Sequence, residues 1–520
     1  MNKNHHIRFS FTLVIITLIS ILGGYIIYQA TQWGPWAFSD SAAYLSAARN
    51  FNAGKGLIII NSNGTTTHLT EFAPLYPILI SLFRGNSGNY IQIARWMDII
   101  SFSAGIFMIG YLVFFVSKRF IPTLFTSIFF TFSPIILEAY SGLMSEAVFI
   151  LLLIMQIFLL VKYHHESKFY ILVFLIIVSV LLPLARYAGI VFTISAGISL
   201  IVFRKNSIKK GLIKVFTFLI ISLLPISIWF LNLYINLNKI GGKRFLFDFS
   251  ILGSIFISLE EEYQVLKNWF PYYGIYPNNF VNLVIEVLFS ALVIIILVLG
   301  FFDSWKSGKK QTKNHFLFLN CTIFLAAYVG FIAITHSITI PQIDIIDRMM
   351  SPALPIILLI SASIFSIFFY KKPYKLLYIL VIALFIIAAR FNLLITLTKV
   401  NDYSSTGFGF LSREIQESTF LKQIYQLPLE EPMISNSAAF VLFHTNRYPL
   451  GITQFHNRPY GSGNAYGEKT FREKKAPLII LLPDFYNTYG DNADLLLSTV
   501  TEGLDLSFSD AIGRIYYYPD

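Results

Sequence analysis

The sequence predicts a polytopic α-helical membrane protein of about 11 transmembrane helices, with a small extracytoplasmic α/β domain at the C-terminal end. Composition, the lengths of the apolar runs and the placement of the basic residues lead to this fold class. The 520 residues are 55% hydrophobic, 17% aromatic and only 13% charged, with a mean hydropathy of +0.65. Soluble domains usually carry about 25% charged and about 45–50% apolar residues. Disorder, coiled coil, collagen and a soluble multidomain enzyme are therefore excluded. The net charge of +11 is unevenly spread, because residues 401–520 hold 9 Lys/Arg against 14 Asp/Glu. The basic excess thus lies in the first 400 residues, among the apolar runs. It reads as cytoplasmic loop charge and not as a nucleic-acid surface.

A helix crossing roughly 30 Å of hydrocarbon needs about 17–25 apolar residues. Such runs fall near 9–29, 90–116, 120–137, 144–161, 169–184, 187–203, 213–235, 281–302, 316–335, 350–370 and 376–397. Pro183 and Arg186 divide what would otherwise be one long run into the fifth and sixth spans. The first run is too long for a cleaved signal and lacks a small-residue cleavage site, so it reads as a retained anchor. With the N-terminus cytoplasmic, the loops at Lys118/Arg119, Lys162/Lys168, Arg204 to Lys214, Lys306 to Lys313 and Lys371 to Lys375 share the inner face. That pattern obeys the positive-inside rule and puts the C-terminus outside.

Three exported segments follow, at about 30–89, 236–280 and from 401 onward. Residues 1–400 form the transmembrane domain and 401–520 the extracytoplasmic one. The second segment carries Glu260, Glu261, Glu262 and then Trp269-Phe-Pro-Tyr-Tyr. The third alternates helical stretches (408–426, 492–500) with strand-like runs at Pro432-Met-Ile-Ser and Pro477-Leu-Ile-Ile-Leu-Leu-Pro, which suits a small α/β domain. No glycine-rich loop follows a strand, so nucleotide binding is not indicated. Cys321 is the single cysteine, so no intrachain disulfide forms.

The stretch Phe38-Ser-Asp-Ser-Ala-Ala-Tyr-Leu-Ser-Ala-Ala-Arg-Asn-Phe-Asn-Ala-Gly-Lys-Gly56 carries the most chemical information. Ser39 or Asp40 fits an N-cap, Ala42 to Asn52 is helix-compatible, and Gly54 and Gly56 stop the helix. Ala43, Ala47 and Phe51 share one face, which suggests a helix lying on the membrane surface. Asp40 then lies at headgroup depth on the outer side. It either caps the helix or accepts a proton from an attacking hydroxyl.

These residues resemble a known family. Asp40 followed by Tyr44, Ala-Arg49-Asn, Gly54-x-Gly56, Thr67-His68 and Pro74-Leu-Tyr-Pro77 resembles the first exported loop of the GT-C superfamily. The closer resemblance is to bacterial protein-mannosyltransferase-like and aminoarabinose-transferase-like enzymes. Glu138-Ala-Tyr-Ser-Gly-Leu-Met-Ser-Glu146 is similar to the family's second acidic loop, and Asp344-Ile-Ile-Asp-Arg348 with Pro352 and Pro355 to its late Asp-Arg loop. Ser435-Asn436 and Thr445-Asn-Arg447 resemble the tail of many bacterial members. The resemblance implies an inverting transferase moving a sugar from a polyprenyl phosphate to a protein, lipid or glycan acceptor at the outer face of a bacterial plasma membrane. It implies that Asp40 is the general base, with Tyr44 beside it.

Other residues carry two readings each. Glu146 either orients the acceptor or the base, or stabilises a helix N-terminus, and the family match does not choose between Glu138 and Glu146. Arg186 and Arg348 suit phosphate oxygens, whereas the alternatives are snorkelling for Arg186 and a pair with Asp344 or Asp347 for Arg348. His68 either contacts donor phosphate or acceptor, or is an exposed loop residue. Arg49 is expected to be structural or to meet a headgroup. Asp40, Glu146 and Asp347 could converge on a divalent ion, but no spacing requires a metal or any other cofactor. The rival functions are a transporter or flippase of lipid-linked saccharides, a surface-polysaccharide polymerase or ligase, and an assembly scaffold. A transporter would show paired repeats and broken mid-membrane helices.

Overall fold

A computed structural model of the chain describes residues 3–60, 66–83, 89–202, 208–237, 244–245, 251–269, 298, 300–302, 312–340, 342–368, 375–428, 432–452 and 476–519. The chain is mostly helical. It opens with α1 (Lys3–Ala30) and α2 (Ser39–Asn52), then a short antiparallel hairpin, β1 (Ile58–Ile60) and β2 (Thr66–His68). Then follow α3 (Leu75–Phe83), α4 (Tyr90–Ser117), α5 (Phe120–Thr131), α6 (Pro134–Tyr140), α7 (Glu146–Glu166), α8 (Phe169–Ala185), α9 (Gly189–Val202) and α10 (Ile208–Leu237). The strand β3 (Arg244–Phe245) precedes α11 (Ile251–Asn268) and α12 (Lys313–Ile338), and pairs with β4 (Thr339–Ile340). The short α13 (Asp347–Met350) leads into α14 (Ala353–Phe368) and α15 (Lys375–Thr406).

Among the described residues, five helices are long and apolar enough to cross a membrane: Phe9–Ala30, Tyr90–Ser117, Glu146–Glu166, Gly211–Leu237 and Lys313–Ile338. The run expected at 120–137 is instead two helices, α5 and α6, bent by 58° at Phe132-Ser133, so it counts as at most one broken span. Ser133 explains the restart, since its hydroxyl accepts from the Ile136 amide and Pro134 fills the first helical turn. The runs at 169–184, 187–203 and 350–370 appear as the shorter apolar helices α8, α9 and α14. The run at 281–302 lies almost wholly outside the described residues, and that at 376–397 lies within α15.

Polar contacts tie the apolar helices together at specific depths. Gln156 of α7 donates to Ser179 of α8 at 2.8 Å, and Thr193 of α9 donates to the Ser179 carbonyl at 3.0 Å. Ser199 of α9 reaches Asn320 of α12. In hydrocarbon such groups have no water to return to, so they fix register between neighbouring helices.

The C-terminal residues build a five-stranded mixed sheet in the order β6-β5-β7-β9-β8. Its strands are β5 (Ile434–Ser435), β6 (Leu450–Gly451), β7 (Leu478–Leu481), β8 (Asp505–Ser509) and β9 (Gly513–Tyr517). Around it lie α16 (Arg413–Glu417), α17 (Thr419–Gln426), α18 (Ala438–Thr445), α19 (Leu482–Tyr489) and α20 (Ala493–Val500). The helix expected over 408–426 is split at Ser418, whose hydroxyl caps α17 through the Leu421 amide.

The helix α2 is largely enclosed by the rest of the protein. Ser41, Ala42, Tyr44, Leu45, Ser46, Ala47, Ala48 and Asn50 are all buried. One hydrophobic cluster joins Trp36, Ala42, Tyr44 and Leu45 to Tyr76 and Ile80 of α3, and to Phe410, Phe420, Phe440 and Ile515. The small side chains of α2 let α3 and α18 approach it closely from two sides. The segment around α2 and α3 and the C-terminal segment therefore share one core.

Candidate active site

Asp40 is the second residue of α2 and not its cap. Phe38 takes the cap position, and its amide donates to Ser41 Oγ at 3.2 Å. A carboxylate in the first turn is favoured by the helix dipole, yet its side chain is left free to point elsewhere. It points at Arg348, whose Nη1 donates to Asp40 Oδ2 at 2.8 Å across 308 residues of sequence. The Nε of the same guanidinium lies 3.6 Å from Glu146 Oε1. Arg186 closes the chain by pairing with that Glu146 oxygen from the other side.

Two carboxylates and two guanidiniums thus alternate in the order Asp40, Arg348, Glu146, Arg186. Their burial differs: Glu146 is 2% exposed and Arg186 16%, whereas Arg348 and Asp40 are 24% and 27% exposed. Glu146 is the buried member, and the other three are partly exposed. Each charge comes from a different element: α2, the first turn of α7, the turn between α8 and α9, and α13. Gly189 is required in that turn, because a Cβ there would meet the Leu182 carbonyl carbon at 2.3 Å.

Neighbouring side chains hold the four in place. Tyr44 donates to Ser145 Oγ at 3.1 Å, directly before Glu146. Burial raises the Tyr44 hydroxyl well above its ordinary value, and the Glu146 carboxylate adds to this, so it stays a donor. Tyr328 of α12 donates to the Met349 carbonyl, which fixes the backbone beside Arg348. The sulfurs of Met144 and Met349 lie 3.3 Å from Arg348 Nη1 and 3.4 Å from Arg186 Nη2.

Trp36 clips the first loop to the loop before α7. Its amide donates to the Ser141 carbonyl, its own carbonyl accepts from Leu143, and its indole donates to the Glu138 carbonyl at 3.0 Å. The indole also occupies the space a Cβ on Gly142 would take.

The remaining sequence candidates separate from this group. Glu138 pairs with Lys399 of α15 at 2.8 Å, so Glu146 is the acidic residue that meets the arginines. Arg348 pairs with neither Asp344, which is exposed, nor Asp347, whose carboxylate accepts from the Trp269 indole at 2.7 Å. Arg186 turns its guanidinium to Glu146. Arg49 donates to the Phe443 carbonyl at 2.9 Å and so ties α2 to the end of α18. His68 lies opposite Ile58 in the hairpin, half-buried, and does not join the four charges. Among the described residues no three His, Cys, Asp or Glu side chains come together as a metal cluster.

Two residues near the site escaped the sequence reading. Tyr328 sits in an apolar helix with nothing in its spacing to mark it. Asp98, in α4, is fully buried with neither oxygen partnered, and lies within electrostatic reach of Glu146, Tyr76 and Tyr140. A lone carboxylate inside an apolar run was the available signal for it.

No family model matches the chain, and no curated protein matches it. Solved structures do. The chain is similar to ArnT from Cupriavidus metallidurans bound to undecaprenyl phosphate, at 12% identity and a TM-score of 0.58, over 96% of this chain and 97% of that one. It is equally similar to the apo state of the same ArnT, at 11% identity, a TM-score of 0.58 and the same coverage of both chains. The two chains share their fold over nearly their whole length.

Proposed function

We propose that the protein transfers a sugar from a polyprenyl-phosphate donor to an acceptor hydroxyl at the outer face of a bacterial plasma membrane, with inversion. The observation that carries this reading is the alternating chain Asp40, Arg348, Glu146, Arg186, with Glu146 buried and Asp40 and Arg348 partly exposed. The fold shared with a protein crystallised bound to undecaprenyl phosphate supports it.

A single displacement needs one base and a site for a departing phosphate. The acceptor hydroxyl gives its proton to the Asp40 carboxylate as its oxygen bonds the anomeric carbon. The bond from that carbon to the phosphate oxygen breaks, and the electron pair leaves on the polyprenyl phosphate. The leaving group gains negative charge as this happens, which is where a preplaced guanidinium contributes most. Arg348 is the outer, half-exposed cation and would meet the phosphate, with Arg186 behind it. In the free protein Arg348 holds Asp40 Oδ2 in a 2.8 Å hydrogen bond. Donor phosphate competing for Arg348 would release Asp40 in the same step that brings the substrate. Glu146, held by both arginines, orients them.

In this reading the bundle has about 11 spans with a cytoplasmic N-terminus, and residues 401–520 form an extracytoplasmic unit covering the site. The two guanidiniums supply the positive charge, so no divalent ion is needed and chelation leaves the rate unchanged. The test is to incubate the purified protein with radiolabelled polyprenyl-phosphate sugars and extracts of its own membranes. Label leaving the donor for an acceptor supports the reading. Intact donor crossing vesicle membranes without transfer would replace it with a transporter.

A further inference from the structure

The acidic triplet of the second exported segment has no part in the four-charge chain, yet one of its members faces inward. On α11 the residues Ser258, Glu262, Val265 and Leu266 recur at helical spacing along one face, and Trp269 follows directly after the helix. That face is fixed at both ends. Ser258 hydrogen-bonds Ser337 of α12 at 3.1 Å, and Trp269 donates to Asp347, the neighbour of Arg348. Val265 and Leu266 between them pack on the main core of the bundle. Glu260 is exposed, and Glu261 reaches His336 at 3.7 Å. Glu262 is 1% exposed, and neither of its oxygens has a partner.

Tyr328 locates this carboxyl group relative to the site. It lies within electrostatic reach of Glu262 on one side and of Arg186 and Glu146 on the other. Tyr328 is ten residues before the end of α12, so roughly 15 Å below that end. The α11 helix therefore runs from Ser337 of α12 towards Asp347, the residue beside Arg348.

Asp40 and Glu146 each have a guanidinium, whereas Glu262 has none. A buried polar group without a partner is costly, and such groups are kept where a ligand completes them. Burial pushes the Glu262 carboxyl up to about 8, so near neutral pH it is largely uncharged and can both donate and accept. An uncharged carboxyl fits a polyhydroxylated group better than a phosphate, which the arginines already match.

We propose that Glu262 is a sugar-recognition residue of this site, hydrogen-bonding hydroxyl groups of the sugar carried by the lipid phosphate. The proposal rests on the transferase reading above and adds the element that selects the donor. It is tested by measuring kcat and KM for donor and acceptor separately, with the natural donor and with deoxy-sugar donors each lacking one hydroxyl. Glu262→Ala is expected to raise donor KM about tenfold or more, leave acceptor KM unchanged and lose discrimination against one deoxy donor. Glu262→Gln, which still donates and accepts, stays within about threefold of wild type. Should the alanine variant not fold, Glu262→Asp withdraws the carboxyl by one methylene and must show the same donor-specific rise. Unchanged donor KM and unchanged discrimination in a folded variant overturn the proposal, as does a rise confined to acceptor KM. Failure of the wild-type protein to transfer from any donor would instead overturn the transferase reading, and this assignment with it.

Discussion

Replacing Arg348 by lysine separates charge from geometry. The guanidinium places Nη1 at 2.8 Å from Asp40 and Nε at 3.6 Å from Glu146, so two nitrogens of one plane serve two carboxylates on different helices. A lysine has one nitrogen on a flexible stem and can serve one of them. Net charge is kept, and the 3.6 Å approach to Glu146 is an ion pair and not a hydrogen bond, so what a lysine forfeits is one charge-assisted hydrogen bond that the second guanidinium nitrogen can offer a ligand, worth about 1.5–3 kcal/mol. If that bond passes to the donor phosphate in the transition state, kcat/KM falls roughly 10- to 150-fold in Arg348→Lys. Arg348→Ala falls further, because Asp40 loses its cation and Glu146 keeps only Arg186. The assay is initial-rate sugar transfer in detergent or nanodiscs, with thermal melts as a folding check. An Arg348→Lys enzyme within threefold of wild type beside a crippled alanine variant would refute the fork argument and leave bare charge as the requirement.

Gly142→Ala would place a Cβ 2.3 Å from Trp36 Cε2 and Cζ2, displacing the indole that clips the Asp40 loop to the loop before Glu146. It should cost about 1–3 kcal/mol of stability and lower turnover about tenfold or more through misplaced carboxylates. Unaltered melting and unaltered turnover would show that the clip is dispensable. His444 accepts from the Tyr425 hydroxyl at Nδ1 and donates from Nε2 to the Phe410 carbonyl, an assignment made from that hydrogen-bond network. Burial lowers its pKa to about 4. The unfolded chain, with an ordinary histidine, therefore binds more protons between about pH 6.5 and 4, so this contribution is present above about 6.5 and lost as pH falls towards 4. The loss is at most about 3 kcal/mol. Protease protection of the C-terminal segment should decline over that window in wild type and less in His444→Gln; parallel declines would contradict the assignment.

The membrane class and the chemistry-bearing loops were legible in the sequence because both are local. Apolar run length marks the long helices, and the stretches around Asp40, Glu146 and Arg348 carry their residue types in order. What was not legible is what tertiary packing decides. The pairing of Asp40 with Arg348 joins positions 308 residues apart, and the nearby Asp344 and Asp347 were the more obvious partners. Glu138 and Glu146 were indistinguishable until the break after α6 turned one to Lys399 and the other to the arginines. The alanine-rich face of α2 suggested a surface helix, whereas those small side chains admit α3 and α18 on two sides. Among Glu260, Glu261 and Glu262, helical phase relative to Trp269 decides which faces inward, and that phase depends on the Asp347 contact.

Asp40 is the residue on which the proposed proton transfer depends most directly. Asn at this position keeps the size and a contact for Arg348 but cannot take a proton. In a folded Asp40→Asn protein that still binds donor, single-turnover transfer is expected to slow by about 100-fold or more. Transfer within a few-fold of wild type would contradict it, because the carboxylate would then serve only to hold Arg348.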